Sequence, residues 1–123
     1  MAIKVLIADD APFIREVLRQ LLEDQGFEVV GEAENGKQAV DLTKSLRPDV
    51  VIMDLVMPEK SGLEASQEIA AIKGAPKIIA CSTIDDESMV MKAINSGCSD
   101  YVYKPFQADQ LVSKIKAMVN TGG

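Results

Sequence analysis

Five short apolar segments alternate along the chain with five longer segments whose apolar residues recur at helical spacing. Three of the short segments are almost continuously apolar and rich in Val and Ile, which is typical of strands covered on both faces. The short segments predict β-strands over residues 5–8, 27–30, 50–53, 77–81 and 101–103. The alternation indicates a parallel sheet with helices packed against it.

The segments between the strands predict amphipathic helices, because their apolar residues lie three and four positions apart. The first helix is marked by Ile14, Val17, Leu18, Leu21 and Leu22, and ends at Gly26. The others are marked by Ala39, Val40, Thr43 and Leu46; by Leu63, Ile69, Ala70 and Ile72; by Val90, Ala93 and Ile94; and by Leu111, Val112, Ile115, Met118 and Val119. Since crossovers between parallel strands are right-handed, the (βα)5 order predicts a single α/β domain over residues 1–123, with a doubly wound parallel five-stranded sheet.

Charge and composition exclude several classes of function. The formal net charge of −6 opposes binding to the phosphates of nucleic acids and to anionic membrane surfaces, so we expect neither partner. Histidine is absent, which excludes catalytic triads and metal sites that depend on it. The two cysteines lack CxxC spacing, and neither a secretory signal nor a membrane-spanning apolar run is present, so we expect a cytoplasmic monomer with reduced thiols.

Polar residues follow four of the predicted strands, where parallel sheets bind their ligands. They are Asp9, Asp10, Asp54, Ser82, Thr83 and Lys104. Two carboxylates ~4 Å apart repel by about 4 kcal/mol at an effective dielectric constant of ~20, and a hard cation such as Mg²⁺ removes that conflict. A lysine beside the carboxylates can pair with one of them at rest and with a phosphoryl oxygen once a phosphoryl group arrives. A nearby serine hydroxyl can donate to another phosphoryl oxygen. The set fits phosphoryl transfer onto a carboxylate.

Each of these residues also has an ordinary structural interpretation. Asp9 and Asp10 precede Pro12 and are suited to capping the first helix. Asp54 is equally suited to be the polar end of a buried strand, the hydroxyl pair to form a cap or turn, and the lysine to lie in solvent. Taken one at a time, the residues leave both interpretations open.

Four motifs in a fixed order support the functional interpretation. They are VLIADD at 5–10, VIMDLVMP at 51–58 with Gly62, IIACS at 78–82 and DYVYKPF at 100–106. With these motifs the whole chain resembles the receiver domain of two-component response regulators, and in particular the single-domain CheY-type chemotaxis regulators. The resemblance, rather than the spacing of the segments, implies a flavodoxin-like sheet with strand order 2-1-3-4-5.

The resemblance implies a set of roles around the phosphorylated residue. Asp54 matches the phosphoacceptor, Asp10 matches the direct Mg²⁺ ligand, and Asp9 matches the residue that acts on the metal through water. The main-chain carbonyl of Val56 completes the protein's share of the metal shell. The side chains of Val56 and Ile84 flank the path of the hydrolytic water, and because neither orients water we expect a long-lived phosphoryl group.

The resemblance implies a second set of roles in switching. Ser82, beside Thr83, matches the hydroxyl that moves onto the phosphoryl group, and Lys104 matches the lysine that contacts it. Tyr101 matches the aromatic residue that rotates inward on activation. The Lys104–Pro105 bond matches a cis peptide of the family, although cis bonds make up only about 5–6% of X–Pro bonds in folded proteins.

The function implied is that of a signalling protein and not of an enzyme. A histidine kinase phosphorylates Asp54, the face of helix 4, strand 5 and helix 5 changes, and that face binds a target such as the flagellar motor switch protein. A separate phosphatase then removes the phosphoryl group. Two alternatives within the family stay open: a phosphorelay intermediate that passes the group to a His-phosphotransfer protein, and the receiver domain of a longer regulator.

Three other α/β classes match the motifs less well. A phosphohydrolase of the haloacid-dehalogenase type needs DxD after the first strand, where this chain has adjacent aspartates. A flavodoxin-like electron carrier needs a phosphate loop there, and the two aspartates would repel the phosphate of FMN. A dinucleotide-binding half-domain needs a GxGxxG motif, which the chain lacks.

Overall fold

Strands and helices alternate five times in the computed structural model, which describes residues 2–83, 86–104 and 107–121. The strands are β1 (Lys4–Ala8), β2 (Glu28–Ala33), β3 (Val50–Asp54), β4 (Lys77–Ser82) and β5 (Asp100–Tyr103). The helices are α1 (Pro12–Asp24), α2 (Gly36–Leu46), α3 (Gly62–Ala70), α4 (Glu87–Asn95) and α5 (Ala108–Thr121). This element order confirms the alternation predicted from the hydrophobic pattern.

The five strands form one parallel sheet in the order β2-β1-β3-β4-β5. Ala8 at the end of β1 pairs with Met53, and Asp54 at the end of β3 pairs with Cys81. The carboxyl ends of the three central strands therefore share one edge. The predicted (βα)5 fold and strand order are confirmed.

Two hydrophobic cores cover the two faces of the sheet, and β1 contributes alternate residues to each. Val5 and Ile7 belong to the core that contains Leu18 of α1 and Leu111 of α5. Leu6 and Ala8 belong to the other core, which is formed with α2, α3 and α4 through Ala39, Ile69 and Ala93. Successive strand side chains point to opposite faces, so both sets must be apolar. Full burial of each large aliphatic side chain contributes about 1.5–3 kcal/mol, which explains the continuous apolar runs.

Strand ends mostly differ by one residue from the sequence expectation, and two element boundaries differ by more. Helix α3 ends at Ala70, and Ile72 lies in the following turn, which leads to Gly74 with φ of 74°. Strand β2 continues to Ala33, because Glu32 and Ala33 pair with Ile7 and Ala8 of β1. As β2 is an edge strand, its pairing with β1 continues through polar residues that the apolar pattern excluded.

The start of α1 does not use an aspartate as its cap. Ala11 is the N-cap residue, its side chain makes no capping hydrogen bond, and Pro12 begins the helix. Proline suits this position because its missing N–H would have had no partner within the helix. Asp9 Oδ1 accepts a hydrogen bond from the Ala11 N–H at 2.9 Å, within the loop itself. The helix-cap interpretation of Asp9 and Asp10 is therefore wrong.

Both cysteines are buried and unbridged. Burial raises the pKa of Cys81 to about 12, so this thiol stays protonated at neutral pH. Burial also raises the pKa of Cys98, whose sulfur lies 3.4 Å from the Ser66 hydroxyl. Among the helices of the described residues, none combines the length and the apolar character that crossing a bilayer requires.

Candidate functional site

Three carboxylates converge at the edge formed by the carboxyl ends of β1 and β3. Oxygen atoms of Asp9, Asp10 and Asp54 all lie within 4.8 Å of one another. Asp9 and Asp10 follow β1, and Asp54 is the last residue of the adjacent β3. Asp9 is buried and Asp54 is only 8% exposed, whereas Asp10 faces solvent. The fold thus brings together the three acidic residues that the sequence proposed as a metal site.

Lys104 reaches this cluster from the end of β5. Its Nζ lies 2.6 Å from Asp9 Oδ2 and 3.5 Å from Asp54 Oδ2. Burial opposes the charged form, but the hydrogen bond to Asp9 and the charges of Asp54 and Asp9 outweigh it and raise the pKa of Lys104. The lysine is therefore an ion-paired part of the site, and its interpretation as a solvated side chain is wrong.

Asp54 is held in an environment that resists its negative charge. Burial raises the pKa of this carboxyl group, and the nearby Asp9 and Asp10 act in the same direction. The charge of Lys104 and the Val56 N–H, which donates to Asp54 Oδ1 at 3.2 Å, oppose the rise without cancelling it. Lys104 thus balances part of the negative charge, and the remaining repulsion favours binding of a cation.

The loop between β3 and α3 approaches Asp54 closely at Gly62. The Gly62 N–H donates to the Leu55 carbonyl at 3.0 Å. A Cβ atom at Gly62 would lie 2.1 Å from the main-chain oxygen of Asp54. Only glycine fits this approach, so Gly62 keeps the loop that carries Val56 folded against the site.

We expect Gly62→Ala to lower the free energy of unfolding by about 3 kcal/mol, because the main chain of Asp54 must move to admit the methyl group. Chemical denaturation of both proteins measures the difference. Gly74→Ala is the matched control: a Cβ there meets no atom within 4 Å, so only the positive φ of 74° costs energy, about 1 kcal/mol. A loss at Gly62 no larger than that at Gly74 would contradict the close-approach argument.

The proposed switch residues lie on β4 and β5 or directly after these strands. Ser82 is the last residue of β4 and is 2% exposed, and its carbonyl accepts the Lys104 N–H at 2.8 Å. Thr83 is exposed just beyond the strand. Tyr101 is buried in the core on the α2–α4 side, and its ring centroid lies 5.2 Å from that of Tyr103. One hydrogen bond thus links the end of β4 to the residue that pairs with the carboxylates.

Three further predicted positions have different outcomes. Val56, two residues after Asp54, is 61% exposed, and its N–H is the group that donates to Asp54 Oδ1. Ile84 and Pro105 lie outside the described residues. Exclusion of water by the Val56–Ile84 pair and the cis peptide bond at Pro105 therefore stay predictions.

The sequence patterns did not reveal one charged group, which contacts the loop that follows β1 and carries Asp9 and Asp10. Arg15 of α1 donates from Nη1 to the main-chain oxygen of Asp9 at 2.7 Å. The signal available was a pair of arginines four residues apart on α1, Arg15 and Arg19, with Glu32 at the end of the neighbouring strand. The pattern does not reveal a side chain that binds a carbonyl oxygen, because every residue has one.

A family model described as the response regulator receiver domain matches residues 5–116. The chain belongs to this receiver family. Chemotaxis protein CheY of Bacillus subtilis is 47% identical over 120 residues, which cover 98% of this chain and 100% of that protein. CheY of Thermotoga maritima is 44% identical over 115 residues, covering 94% of this chain and 96% of that one. These matches confirm the CheY-type receiver domain that the four motifs indicated.

Solved receiver structures agree with the fold. The response regulator domain of Thermotoga maritima CheB superimposes with a TM-score of 0.90 at 33% identity, covering 98% of both chains. A two-component response regulator of the LuxR family from Aurantimonas gives 0.92 at 33% identity, covering 98% of this receiver and 87% of that chain. Sequence similarity and fold similarity therefore both place the acidic cluster in a receiver domain.

Proposed function

We propose that this receiver is a phosphorylation-controlled signalling protein of chemotaxis, acting as a cytoplasmic monomer. A histidine kinase would supply the phosphoryl group to Asp54, and the phosphorylated receiver would bind a flagellar motor switch protein. The observation that carries the proposal is the contact of Lys104 with both Asp9 and Asp54 beside a third carboxylate. The similarity to proteins named chemotaxis protein CheY supports the choice of pathway.

The three carboxylates fit a Mg²⁺ ion. Their oxygen atoms lie close enough together to share one cation, and solvent-facing Asp10 leaves room for the waters that Mg²⁺ retains. Asp10 would bind the ion directly and Asp9 through water, with an oxygen of Asp54 and the main-chain carbonyl of Val56 completing the set. When bound, Mg²⁺ supplies positive charge to the phosphoryl oxygens during transfer.

Asp54 is the nucleophile of the proposed transfer. Its carboxylate oxygen attacks phosphorus in line, the P–N bond of the donor phosphohistidine breaks, and the electron pair stays on the imidazole. The histidine must belong to the kinase, since this chain has none. Lys104, already 3.5 Å from Asp54, exchanges its bond to Asp9 for a phosphoryl oxygen, and the Ser82 hydroxyl donates to another.

The same lysine couples phosphorylation to a surface. Lys104 directly follows Tyr103, which is exposed at the end of β5, and α4 lies against β5 with Met91 and Ile94 exposed. A shift of Lys104 toward the phosphoryl group therefore acts on β5, the strand that carries Tyr101 and Tyr103. Exposed apolar side chains beside a strand that responds to phosphorylation suit the binding of a target protein.

Lys104→Ala tests this coupling. We expect phosphorylation to raise the affinity of the wild-type protein for the motor switch protein about tenfold, a typical allosteric coupling. The variant should still accept phosphate, yet its phosphorylated and unphosphorylated forms should bind within about twofold of each other. Lys37→Ala, which removes a lysine of α2 paired with Asp41 at 3.1 Å, lies outside the face of α4 and β5; it is the control and should retain the response. A phosphorylated Lys104→Ala protein that binds like phosphorylated wild type would contradict the role of Lys104.

Mg²⁺ should raise the melting temperature in a concentration-dependent way, because it binds the folded acidic cluster. At ten times its dissociation constant the gain is about 1.4 kcal/mol, or about 5 °C. Asp10→Asn should reduce this shift and stabilise the metal-free protein, since one repelling charge is gone. Asp49→Asn, whose carboxylate accepts the Lys4 N–H, is the control for a general charge effect. Thermal unfolding at constant ionic strength measures both, and an unchanged wild-type melting temperature would exclude the site.

The alternative function is a phosphorelay intermediate. The exposed apolar side chains of Phe13 and Val17 on α1 favour this function. Phe13 lies three residues after Asp10, so the two side chains offer a contact surface near the acidic cluster to a partner that carries the histidine. Phosphorylated protein incubated with a His-phosphotransfer protein distinguishes the two. Transfer of the group to the partner's histidine would favour the relay, and stable retention on Asp54 would favour the motor-switch function.

A further inference from the structure

The guanidinium group of Arg15 joins the loop after β1 to the end of β2. Its Nη1 donates to the main-chain oxygen of Asp9 at 2.7 Å, and its Nε donates to Glu32 Oε1 at 3.1 Å. The side chain is only 14% exposed. One rigid, planar group therefore ties together two chain segments that meet beside the acidic cluster.

Glu32, which anchors this group through one carboxylate oxygen, binds a second arginine through the other. Arg19 Nε donates to Glu32 Oε2 at 2.7 Å, so each carboxylate oxygen accepts a guanidinium N–H. Burial opposes ionisation, but the hydrogen bonds from Arg19 and Arg15 outweigh it and lower the pKa of Glu32. The carboxylate is thus charged at neutral pH and keeps Arg15 in place.

The main chain of Asp9 is held on both sides. Its N–H donates to the Ala33 carbonyl at 3.0 Å, and its own carbonyl accepts from Arg15. That carbonyl belongs to the planar peptide unit that connects Asp9 to Asp10. The orientation of this plane, together with the φ angle of Asp10, sets the direction in which the Asp10 side chain leaves the main chain. Arg15 therefore acts on the geometry of the acidic pair through one carbonyl oxygen.

We propose that Arg15 is a positioning residue for the metal-binding carboxylates. Its two-pronged hydrogen bonding holds the Asp9–Asp10 peptide so that both side chains converge on one cation. The inference rests on the proposed Mg²⁺ site and adds a residue outside the set of ligands. Loss of a residue that orients metal ligands typically lowers metal affinity by about 10–100-fold.

Arg15→Lys tests the inference, because lysine keeps the positive charge but lacks the planar fork. We expect the Mg²⁺ dissociation constant to rise about tenfold, followed through the amide NMR signals of Asp10 and Ala11 during a Mg²⁺ titration. Arg19→Lys is the matched control. It also loses a guanidinium bond to Glu32, but Arg19 is not bonded to the Asp9 carbonyl, so affinity should stay within about twofold.

The comparison of Mg²⁺ affinity with folding stability separates positioning from a structural role. Urea denaturation of both variants measures stability, and a positioning residue changes affinity by more than its matched control at a similar stability loss. The inference would be overturned if Mg²⁺ affinity fell equally in Arg15→Lys and Arg19→Lys, or if it were unchanged in Arg15→Lys. Mg²⁺ binding by the wild-type protein would still support the metal site in either case. Absence of Mg²⁺ binding by the wild type would overturn both.

A second variant covers the case in which Arg15→Lys does not fold. Glu32→Asp keeps the charge but withdraws the carboxylate from both arginines, which loosens the anchor of Arg15. We expect the Mg²⁺ dissociation constant to rise about threefold, less than for loss of the fork itself. An unchanged Mg²⁺ affinity in this variant would overturn the inference.

Discussion

Asp54→Asn protein should take up no phosphoryl group from a small phosphodonor in the presence of Mg²⁺, whereas wild-type protein should gain one. The reason is chemical, because the amide cannot replace a carboxylate oxygen as the nucleophile that forms an acyl phosphate. Asparagine and aspartate have nearly the same size, so asparagine fits the buried position at the end of β3 and the fold should survive the change. Intact-protein mass spectrometry measures the added group.

Two controls sharpen this experiment. Asp49→Asn changes a carboxylate that accepts the Lys4 N–H at the amino ends of the strands, and it should be labelled like wild type. Asp10→Asn keeps the nucleophile but removes a metal ligand, so its labelling should be slower without being abolished. Labelling of Asp54→Asn to the wild-type extent would show that another residue is the acceptor.

Phosphorylated protein should lose its phosphoryl group about tenfold faster after the double substitution Val56→Asn with Ile84→Glu. Hydrolysis requires a water in line with phosphorus, opposite the Asp54 oxygen, and positioning effects dominate phosphoryl transfer. Val56 is largely exposed, the resemblance to receiver domains implies that it flanks the path of this water, and neither aliphatic side chain can orient the water. A polar pair should hold the water in place and shorten the lifetime.

The decay is measured by intact mass after removal of the phosphodonor. Val56→Ala in the wild-type background is the control, since it opens space without adding a polar group, and it should change the rate by less than about threefold. A double variant that decays no faster than wild type would show that the lifetime is set elsewhere. A long wild-type lifetime would also support the need for a separate phosphatase that contributes its own amide or carboxylate.

Local patterns in the sequence were sufficient for the (βα)5 architecture and for placing the acidic residues at one edge of the sheet, whereas the strand order came from the resemblance to receiver domains. Val5 and Ile7 alternate with Leu6 and Ala8, and both sets are apolar, which requires helices on both faces of the sheet. Once the strands are parallel, their carboxyl ends meet at one edge, where the aspartates that follow β1 and end β3 must lie. The pairing of β1 with β3 then brings these aspartates together. These predictions hold because strand periodicity and crossover handedness depend on residues that are near one another in sequence.

Contacts between particular atoms of different segments were decided only in the tertiary structure. Lys104 was predicted near the carboxylates, but its hydrogen bond to Asp9, across 95 positions of sequence, depends on strand order, register and rotamer together. The approach of Gly62 to the Asp54 carbonyl and the bond from Arg15 to the Asp9 carbonyl involve main-chain atoms that every residue carries. A sequence specifies side-chain chemistry and local periodicity, whereas the choice of one main-chain oxygen is made when the segments pack together.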